Sequence, residues 1–577
     1  MQIRDPEQLL EPLDPEQREV ATTLSGSLCV LAGAGTGKTR AITHRIAYGA
    51  HTGAFVPGRV LAVTFTTRAA GEMRERLRRL GVPDVQARTF HSAALRQARY
   101  FWPRVHGCEL PTLTESKLPL LAEASHRCRL RADTPDLKDL AAEVEWAKVS
   151  NVRPDDYPVV APRAGRAVAS YDHDTTARVF AAYEDVKRDR GRMDMEDVLL
   201  CAAGLLADHA RVAAEVQGQY RWFVVDEFQD VNPLQRTLLD LWLGDRDELC
   251  VVGDPDQTIY SFAGASPQHL TGFRRQHPNA AVVRLVRNYR STPQVVAVAN
   301  GLLSRPARGD GAGLLGAQRP GGAAVRFDEY ADEVDEAKSV AAAIIAVRDA
   351  GTPLRDVAVL FRVNAQSEAF EEALAARSIP YTVRGVERFF DRPEVRQAVT
   401  LLRAAARSGE HSPQGLVSDA TGVLSGLGWS AEPPSGGRAT RARWESLDAL
   451  RGLAAEVAAT GTDADLAALV GELERRAAAQ EAPNVDGVTL ATMHAAKGLE
   501  WSAVFVAGVH EGTVPIGYAQ TPAQLAEERR LLYVAVTRTR DRLAVSWSLA
   551  RSPGSRPTRR ASRFLDGVRP DLATGAV

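Results

Sequence analysis

One short run, GAGTGKT from Gly33 to Thr39, constrains this chain more than any other stretch. It fits the pattern G-x-x-x-x-G-K-[ST] except at the first position, where Ala32 replaces glycine. The apolar run 27–32 before it predicts a buried strand, and 39–48 after it predicts a helix. Glycines between a strand and a helix let backbone N–H groups surround a phosphate. The sequence therefore predicts a nucleotide-binding α/β domain.

The residue types in this loop match the chemistry of a nucleoside triphosphate. Lys38 is expected to reach the β- and γ-phosphates of ATP, and Thr39 to ligate Mg²⁺. The N-terminus of the following helix adds partial positive charge. The alternative, a chance glycine-rich turn, explains neither the strand nor the helix. The residues expected to bind the nucleotide here are Ala34, Gly35, Thr36, Gly37, Lys38, Thr39 and Arg40.

A second predicted strand ends in two acidic residues. The run RWFVV, Arg221 to Val225, is apolar, and Asp226 and Glu227 follow it. Asp226 is expected to hold Mg²⁺, and Glu227 to orient or deprotonate the attacking water. An acidic turn after a strand can also be only a cap. Its combination with the phosphate-binding loop favours the catalytic interpretation.

Two glutamines are candidates for the same site. Gln17 lies in LDPEQREVAT, where Asp14 is expected to cap a helix, and its amide can both donate to and accept from an adenine edge. Gln257 follows the predicted strand 249–252, at the strand end where α/β sheets bind ligands. A helical glutamine taken alone is usually a solvated residue, so the phosphate-binding loop carries the argument for Gln17.

Aromatic and hydroxyl side chains near strand ends are candidates for nucleic-acid contacts. Aromatic rings can stack on bases, and hydroxyls can contact a phosphate backbone. Phe65 could equally be a core residue, and Tyr260 and Phe262 taken alone are more often core, so that alternative stays open. The candidates are Phe65 and Thr66 after the strand 60–63, His91 in TFHS, and Tyr260 and Phe262 in GDPDQTIYSFAGA.

The net charge, the cysteines and the length of the apolar runs exclude several classes of protein. A net charge of -1 means that any nucleic-acid surface must be a local groove. The five cysteines form no C-x-x-C, so neither a zinc site nor a disulfide framework is expected. No apolar run is long enough to span a bilayer, and the N-terminus has no apolar signal region. We expect a cytoplasmic protein without membrane contact.

The pattern of strands and helices predicts two α/β cores, each interrupted by a mostly helical insertion. The tail is rich in Pro, Arg and Ser and is expected to be disordered. The expected domains are a first core at 1–101 and 191–283 with an insertion at 102–190, a second core at 284–390 and 484–550 with an insertion at 391–483, and the tail 551–577.

The order of the motifs resembles one family. LDPEQ, AGAGTGKT, AVTFTTRAA, TFHS, VDEFQD, GDPDQTIYSFAGA, NYRS, ATMHAAKGLEW and LLYVAVTRTR occur as in the UvrD/PcrA/Rep-type superfamily 1A helicases. The alanine that opens the phosphate loop is itself usual in that family. The motifs span residues 13 to 540, nearly the whole chain. Within the family the chain is most similar to a second UvrD-type paralogue of actinobacteria, without the C-terminal HRDC region.

This resemblance implies two RecA-like P-loop cores, with ATP between them and single-stranded DNA across their top. Gln17 would read adenine, and Gln257 would link the γ-phosphate to DNA. The resemblance adds residues of the second core: Tyr289 would stack on adenine, Arg290 and Arg538 would touch the γ-phosphate, and Glu500 would lie near the ribose. The expected DNA contacts are Phe65, Thr66, His91, Tyr260, Phe262 and His494.

The implied function is ATP-dependent 3′-to-5′ translocation on single-stranded DNA and unwinding of tailed duplexes, in DNA repair or replication restart. ATP and Mg²⁺ are the expected cofactors, and repair proteins the expected partners. Phe262 and Ala263 replace a usual tryptophan and arginine, which predicts weaker base stacking. Two alternatives stay open: a translocase that strips proteins from DNA but unwinds weakly alone, and a partner-dependent ATPase subunit of a recombination complex.

Overall fold

The computed structural model describes residues 5–303, 313–384, 390, 392–408, 415–432, 438–459, 464–479 and 486–569. These residues divide into two compact units. The first contains the described residues up to Arg287 and the short stretch that ends at Leu315. The second contains the remaining described residues from Asn288 onward.

The first unit combines parallel strands with many helices. Its elements in chain order are α1 (Pro15–Thr22), β1 (Leu28–Ala32), α2 (Lys38–His51), β2 (Val60–Thr64), α3 (Thr67–Arg79), β3 (Gln86–Thr89), α4 (Phe90–His106), β4 (Thr112–Leu113), α5 (Leu118–Arg127), α6 (Thr134–Val149), α7 (Tyr157–Arg163), α8 (His173–Asp189), β5 (Arg192–Met193), α9 (Met195–Asp208), α10 (Ala210–Gln219), β6 (Trp222–Val225), α11 (Pro233–Leu243), β7 (Leu249–Gly253), α12 (Gln268–Thr271), α13 (Phe273–Gln276) and β8 (Ala281–Leu285).

The main sheet of this unit is parallel, with strand order β3-β2-β6-β7-β1-β8. Strands β1, β2, β6 and β7 are buried along their whole length, as expected when helices cover both faces of a parallel sheet. Side chains alternate, so Cys29 and Leu31 pack into one apolar core and Leu28 and Val30 into the other. The carboxyl ends of the central strands thereby share one edge.

Helices α5 to α8 have an apolar core of their own, which includes Tyr157, Phe180 and Tyr183. Buried ion pairs tie this helical segment to α9. Nζ of Lys148 lies 2.7 Å from Asp194, and Nζ of Lys187 lies 2.5 Å from Asp197. The burial of these charged groups is tolerated because each charge is paired. The pairs also fix the position of the helical segment relative to α9.

The rest of the chain builds a second sheet and further helices. Its elements are β9 (Arg287–Asn288), α14 (Pro293–Leu303), β10 (Gly316–Ala317), β11 (Arg326–Asp332), α15 (Glu333–Asp349), β12 (Val357–Phe361), α16 (Ser367–Ala375), β13 (Tyr381–Arg384), α17 (Pro393–Ser408), α18 (Leu416–Ser425), α19 (Arg438–Ala458), α20 (Leu466–Ala479), β14 (Val488–Thr492), β15 (Trp501–Val506), α21 (Pro522–Val536) and β16 (Thr539–Ala550).

The second sheet is also parallel, with strand order β11-β16-β15-β12-β14-β13. Its central strand β12 is buried throughout and belongs to a core formed with α15 and α16. Helices α17 to α20 pack around a separate cluster of leucines that includes Leu402, Leu447 and Leu469. Two parallel sheets, each accompanied by a helical segment, confirm the α/β class expected from the sequence. The domain boundaries given above stay predictions.

The expectation of a disordered tail is wrong for residues 551–569. Phe564 and Leu565 are buried, and the N–H of Ser562 donates to the carbonyl of Val509 at 3.1 Å. The guanidinium of Arg563 pairs with Glu511. The composition of the tail hides two apolar residues that reach a buried position on the second unit. Residues 570–577 lie outside the described part of the chain.

None of the helices built from the described residues is both long enough and apolar enough to cross a membrane.

Candidate active site

The phosphate-binding loop follows the carboxyl end of β1, and its last two residues, Lys38 and Thr39, form the start of α2. Gly35 and Gly37 have φ angles of 69° and 79°, a backbone conformation that glycine adopts readily. A Cβ at Gly37 would lie 2.7 Å from Nε2 of Gln17, so glycine is also required for space. The Thr36 hydroxyl donates to the carbonyl of Gly33 at 2.8 Å. These contacts hold the loop in one turned conformation.

Gln17 contacts this loop directly. Asp14 accepts the backbone N–H of Gln17 at 2.7 Å and caps α1, as the sequence predicts. The Gln17 side chain is buried, and its amide donates to the carbonyl of Thr36 at 2.9 Å. A primary amide carries a second N–H and a carbonyl oxygen besides the N–H used here. The structure thus brings Gln17 to the loop, and its contact with adenine stays a prediction.

The acidic pair at the end of β6 meets the loop lysine. Nζ of Lys38 lies 3.2 Å from both carboxylate oxygens of Glu227. The backbone N–H of Glu227 donates to Oδ1 of Asp226 at 3.0 Å. Glu227 has a φ of 53°, and left-handed backbone at a non-glycine residue is unfavourable and clusters at functional sites. Three residues predicted separately from two motifs are therefore neighbours.

Negative charge exceeds positive charge at this edge of the sheet. Burial, and then the Glu227 carboxylate, raise the pKa of Asp226 to about 7. Burial, and then Asp256, raise the pKa of Asp254 to about 7. Burial lowers the pKa of Lys38, but the nearby Glu227, Asp254 and Asp226 outweigh it, so its pKa is raised. The ammonium stays charged and faces several carboxyl groups.

This donor set fits a magnesium ion. Mg²⁺ prefers carboxylate and hydroxyl oxygens and shares its coordination with phosphates and water. Asp226 offers a buried carboxyl whose pKa is raised by burial and then by the Glu227 carboxylate, and Thr39 follows the loop lysine in the first turn of α2. A divalent cation would supply the missing positive charge. The two residues predicted as metal ligands are thus chemically suited to hold it.

Sequence analysis missed two residues of this site, Gln229 and Asp254. The Gln229 amide donates to Glu227 at 2.5 Å, and its carbonyl oxygen accepts the N–H of Asp254 at 3.0 Å. The Asp254 carboxylate accepts the amide of Gln257 at 2.7 Å. A Cβ at Gly253 would lie 2.2 Å from the carbonyl oxygen of Gln229. Both residues stand in the motifs VDEFQD and GDPDQ, which were the only available signal.

Hydrogen bonds therefore run without a break from the phosphate-binding loop to Gln257. Lys38 contacts Glu227, Glu227 contacts Gln229, and Gln229 contacts the backbone of Asp254. Gln257 is buried at the end of this path. An aromatic residue, Tyr260, follows Gln257 three positions later in the chain. A change of charge at Glu227 can thus reach Gln257 through direct contacts.

Three aromatic rings form a partly exposed group, the aromatic cluster Phe65, Tyr260 and Phe262. The rings of Phe65 and Tyr260 stack with centroids 5.8 Å apart and planes 9° apart. Phe262 meets Tyr260 nearly edge-on, at 6.0 Å and 78°. Phe65 and Phe262 are 42% and 56% exposed, which contradicts the alternative of a core position for either residue. Exposed rings next to each other offer an apolar surface suited to stacking.

Thr66 and His91 lie at the starts of two helices of the first unit. The Thr66 hydroxyl accepts the N–H of Ala69 at 3.1 Å and caps α3. His91 lies in the first turn of α4, and burial lowers its pKa. His91 is therefore neutral at pH 7, so any contact it makes with a phosphate is a hydrogen bond without an ion pair. Their roles in DNA binding stay predictions.

The predicted residues of the second unit differ in exposure. Tyr289 is 44% exposed, whereas Arg538 is 2% exposed and donates to the carbonyls of Val534 and Leu499 at 2.9 and 3.3 Å. Arg290 pairs with Glu500 at 2.5 Å. The structure thus brings Arg290 and Glu500 together and holds Arg538 against its own unit.

His494 is a neutral residue in the second unit. Burial, and then the positive charge of Arg362, lower its pKa to about 4. Arg362 itself forms a buried ion pair with Glu528 at 2.8 Å. His494 therefore carries no charge at neutral pH, and a DNA contact at this residue would use hydrogen bonding or stacking.

Among the described residues, one group of three acidic side chains is compact enough for a metal ion. It consists of Glu184, Asp194 and Asp197 in the first unit. The ammonium groups of Lys148 and Lys187 already pair with all three carboxylates, at 2.5 to 3.4 Å. This group is therefore a structural ion cluster and not a metal site.

Comparison with known proteins adds to this geometry. The family model of the UvrD/REP helicase N-terminal domain matches residues 13–278, and that of the UvrD-like helicase C-terminal domain matches residues 283–415 and 430–550. The chain is 50% identical to "ATP-dependent DNA helicase UvrD2" of Mycobacterium tuberculosis, over 99% of this chain and 83% of the relative. It is 29% identical to "ATP-dependent DNA helicase PcrA" of Staphylococcus aureus, over 97% of this chain and 86% of that relative.

The two family models together cover most of the chain and contain every residue of the site described above. The identity to the mycobacterial relative extends over nearly the full length. The UvrD-type resemblance expected from the motifs is thus confirmed, and the chain belongs to the UvrD/REP helicase family.

Proposed function

We propose that the protein is an ATP-dependent DNA translocase and helicase that moves 3′ to 5′ on single-stranded DNA. The observation that carries the proposal is the unbroken path from Lys38 and Glu227 to Gln257, beside an exposed aromatic cluster. An ATPase site and a surface suited to bases are thereby linked within one unit. The names of the relatives support the same activity, and the direction of movement rests on the family resemblance.

In the proposed hydrolysis, Lys38 and the backbone of the phosphate-binding loop hold the phosphates of ATP. Mg²⁺, when bound by Asp226 and Thr39, neutralises charge on the phosphate oxygens. Glu227 is held by Lys38 and Gln229, and its carboxylate lies in direct contact with the loop lysine. We assign to it the orientation and deprotonation of the attacking water. Arg290 and Arg538 stabilise the charge that grows on the transferred phosphoryl group.

In the proposed coupling to DNA, Gln257 reports the state of the nucleotide to the aromatic cluster. Its amide is fixed by Asp254, whose backbone is fixed by Gln229. When the hydrogen bonds of Glu227 change during hydrolysis, Gln229 and Asp254 must rearrange because each partner is buried. Tyr260 and Phe262 follow on the same short segment. Movement of that segment would change the grip on stacked bases.

The test is strand displacement with duplexes that carry a single-stranded tail at either the 3′ or the 5′ end. We expect unwinding of the 3′-tailed duplex, with ATP and Mg²⁺, and little unwinding of the 5′-tailed one. Glu227→Gln is the matched control, because the change keeps the side-chain shape and removes the carboxylate. Unwinding of the 5′-tailed substrate alone would refute the polarity, and unwinding by Glu227→Gln would refute the assigned site.

The two alternatives give different results in the same assay. A translocase that strips proteins would hydrolyse ATP with DNA and displace a bound protein but separate strands poorly. A subunit of a recombination complex would need its partner before DNA stimulates ATP hydrolysis. The cytoplasmic location, the role in DNA repair or replication restart, and the repair-protein partners remain predictions.

A further inference from the structure

Two arginines in the second unit share one carboxylate. Oε2 of Glu500 lies 2.5 Å from Nε of Arg290, and Oε1 accepts a hydrogen bond of 3.0 Å from Nε of Arg540. Nη2 of Arg540 also contacts Oε1. Burial raises the pKa of Glu500, but Arg290 and Arg540 outweigh it, so the pKa is lowered. Glu500 is therefore an ionised, partly buried carboxylate with a separate partner on each oxygen.

An irregularity in the sheet puts Arg540 in this position. Trp501 pairs with Thr539, but Ala503 pairs with Arg542, so Ser502 faces the two residues 540 and 541. An extra residue in one strand is a β-bulge, which redirects side chains. Thr539 is buried, whereas Arg540 is only partly buried and reaches Glu500. The regular alternation of a strand would not have indicated this contact.

The backbone around Arg540 is joined to the segment that carries Arg290. The carbonyl of Arg540 accepts the N–H of Thr292 at 3.0 Å. The guanidinium of Arg319 donates to the carbonyls of Arg290 and Arg540 at 2.7 and 3.2 Å and pairs with Asp541 at 2.7 Å. The backbones of Arg290 and Arg540 are thus held together by several contacts that do not involve the Glu500 carboxylate.

The shared carboxylate creates a competition. Arg290, assigned above to the terminal phosphate of ATP, is held by Glu500. A phosphate that attracts Arg290 removes one partner from a partly buried carboxylate, and a charge that is partly withdrawn from water is less stable without a partner. Arg540 stays on the other oxygen and keeps the carboxylate paired. The cost of releasing Arg290 is therefore lower with Arg540 than without it.

We propose that Arg540 is a positioning residue for ATP hydrolysis, which retains Glu500 while Arg290 moves from Glu500 to the terminal phosphate. Arg540 itself touches neither ATP nor DNA in this proposal. The inference rests on the proposed function, because it takes Arg290 as a phosphate ligand. It assigns a role to the last residue of the motif LLYVAVTRTR, for which the sequence indicated none.

The test measures nucleotide affinity and turnover for Arg540→Ala. We expect the affinity for a non-hydrolysable ATP analogue to fall about tenfold, the size of one hydrogen bond to a charged group. Affinity for ADP should stay within about twofold, because ADP lacks the phosphate that attracts Arg290. Turnover should fall with the affinity for ATP, and Arg540→Lys should restore both in part. Arg542→Ala, an exposed position on the same strand, is the matched control and should behave as the wild type.

A second background separates positioning from general structure. In Glu500→Gln protein no carboxylate is left to retain, so adding Arg540→Ala should cause no further loss of affinity for the ATP analogue. The proposal would be overturned if Arg540→Ala still lowered the affinity for the ATP analogue in that background. It would also be overturned if Arg540→Ala lowered the affinity for ADP equally, or if this variant behaved as the wild type. If melting shows that Arg540→Ala does not fold, Arg540→Gln takes its place in the same comparisons. ATPase activity that is present in the wild type and disappears in Glu227→Gln protein shows that the proposed hydrolysis site holds, so a failure here is then specific to Arg540.

Discussion

Replacing Phe262 by alanine should weaken DNA binding and leave the fold intact. Phe262 is 56% exposed, and within the aromatic cluster its ring lies 6.0 Å from the ring of Tyr260, centroid to centroid. Stacking of one base on an aromatic ring contributes about 1–3 kcal/mol, so the affinity for single-stranded DNA should fall about 5- to 150-fold. Truncating a fully buried phenylalanine costs about 3–5 kcal/mol of stability, and this ring, more than half in water, should cost less than half as much.

The assay combines DNA affinity by fluorescence anisotropy with thermal melting of the same samples. Phe273→Ala is the matched control, because Phe273 is 0% exposed, lies in the core of the same unit and packs edge-on against Phe228. We expect the control to lose stability strongly, and Phe262→Ala to lose affinity strongly. ATP hydrolysis by Phe262→Ala should continue but drive less movement along DNA.

The opposite pattern refutes this reasoning. If Phe262→Ala protein melts as early as Phe273→Ala protein and binds DNA as the wild type does, the ring belongs to the core in solution. Phe262→Trp is a second check. An exposed site has room for the larger ring, so tryptophan should hold or improve DNA affinity without overpacking.

Three further changes test other parts of the site. Glu227→Gln should bind ATP and nearly abolish turnover, and near-normal ATPase would exclude Glu227 as the catalytic carboxylate. Arg538→Ala should lower turnover by roughly two orders of magnitude, and it should also lower stability by about 1–3 kcal/mol, because the guanidinium donates to buried carbonyls; an unaltered turnover number in the folded variant would remove Arg538 from the site. His494 has a pKa lowered to about 4, so only the unfolded chain takes up its proton as pH falls from about 6.5. Between about pH 7 and pH 5 the stability should therefore fall by about 2 kcal/mol more than in His494→Asn, and identical pH profiles from chemical denaturation would contradict the lowered pKa.

Local patterns predicted the elements of the site well. The strand before Gly33, the helix after it and the strand before Asp226 are close to their expected bounds, because strongly apolar runs next to glycine or acidic residues leave few alternatives. Polar strands were harder to find. Residues Gln86–Thr89 and Arg326–Asp332 form strands at the edges of the sheets, where burial is incomplete and the apolar pattern is weak.

Sequence could not predict how side chains from distant segments share hydrogen bonds. Gln229 stands inside a recognised motif, but only the fold shows that it bridges Glu227 and Asp254. The contact of Arg540 with Glu500 depends on a β-bulge, and a bulge has no reliable signature in one sequence. The prediction of a disordered tail was wrong for a similar reason. Its composition predicts disorder, yet Phe564 and Leu565 find a buried position that other segments create.

The sequence by itself determined the class of fold, the phosphate-binding loop and the family, because these depend on residues that are neighbours along the chain. Spacing within one motif is a local property, and backbone chemistry turns it into a loop or a strand end with little help from the rest of the molecule. Tertiary structure alone decided which charges meet. Lys38 and Glu227 are separated by 189 positions, and Arg290 and Glu500 come from segments that are even farther apart in the chain. Partners at that separation are set by strand order and packing, since chain connectivity places no limit on them.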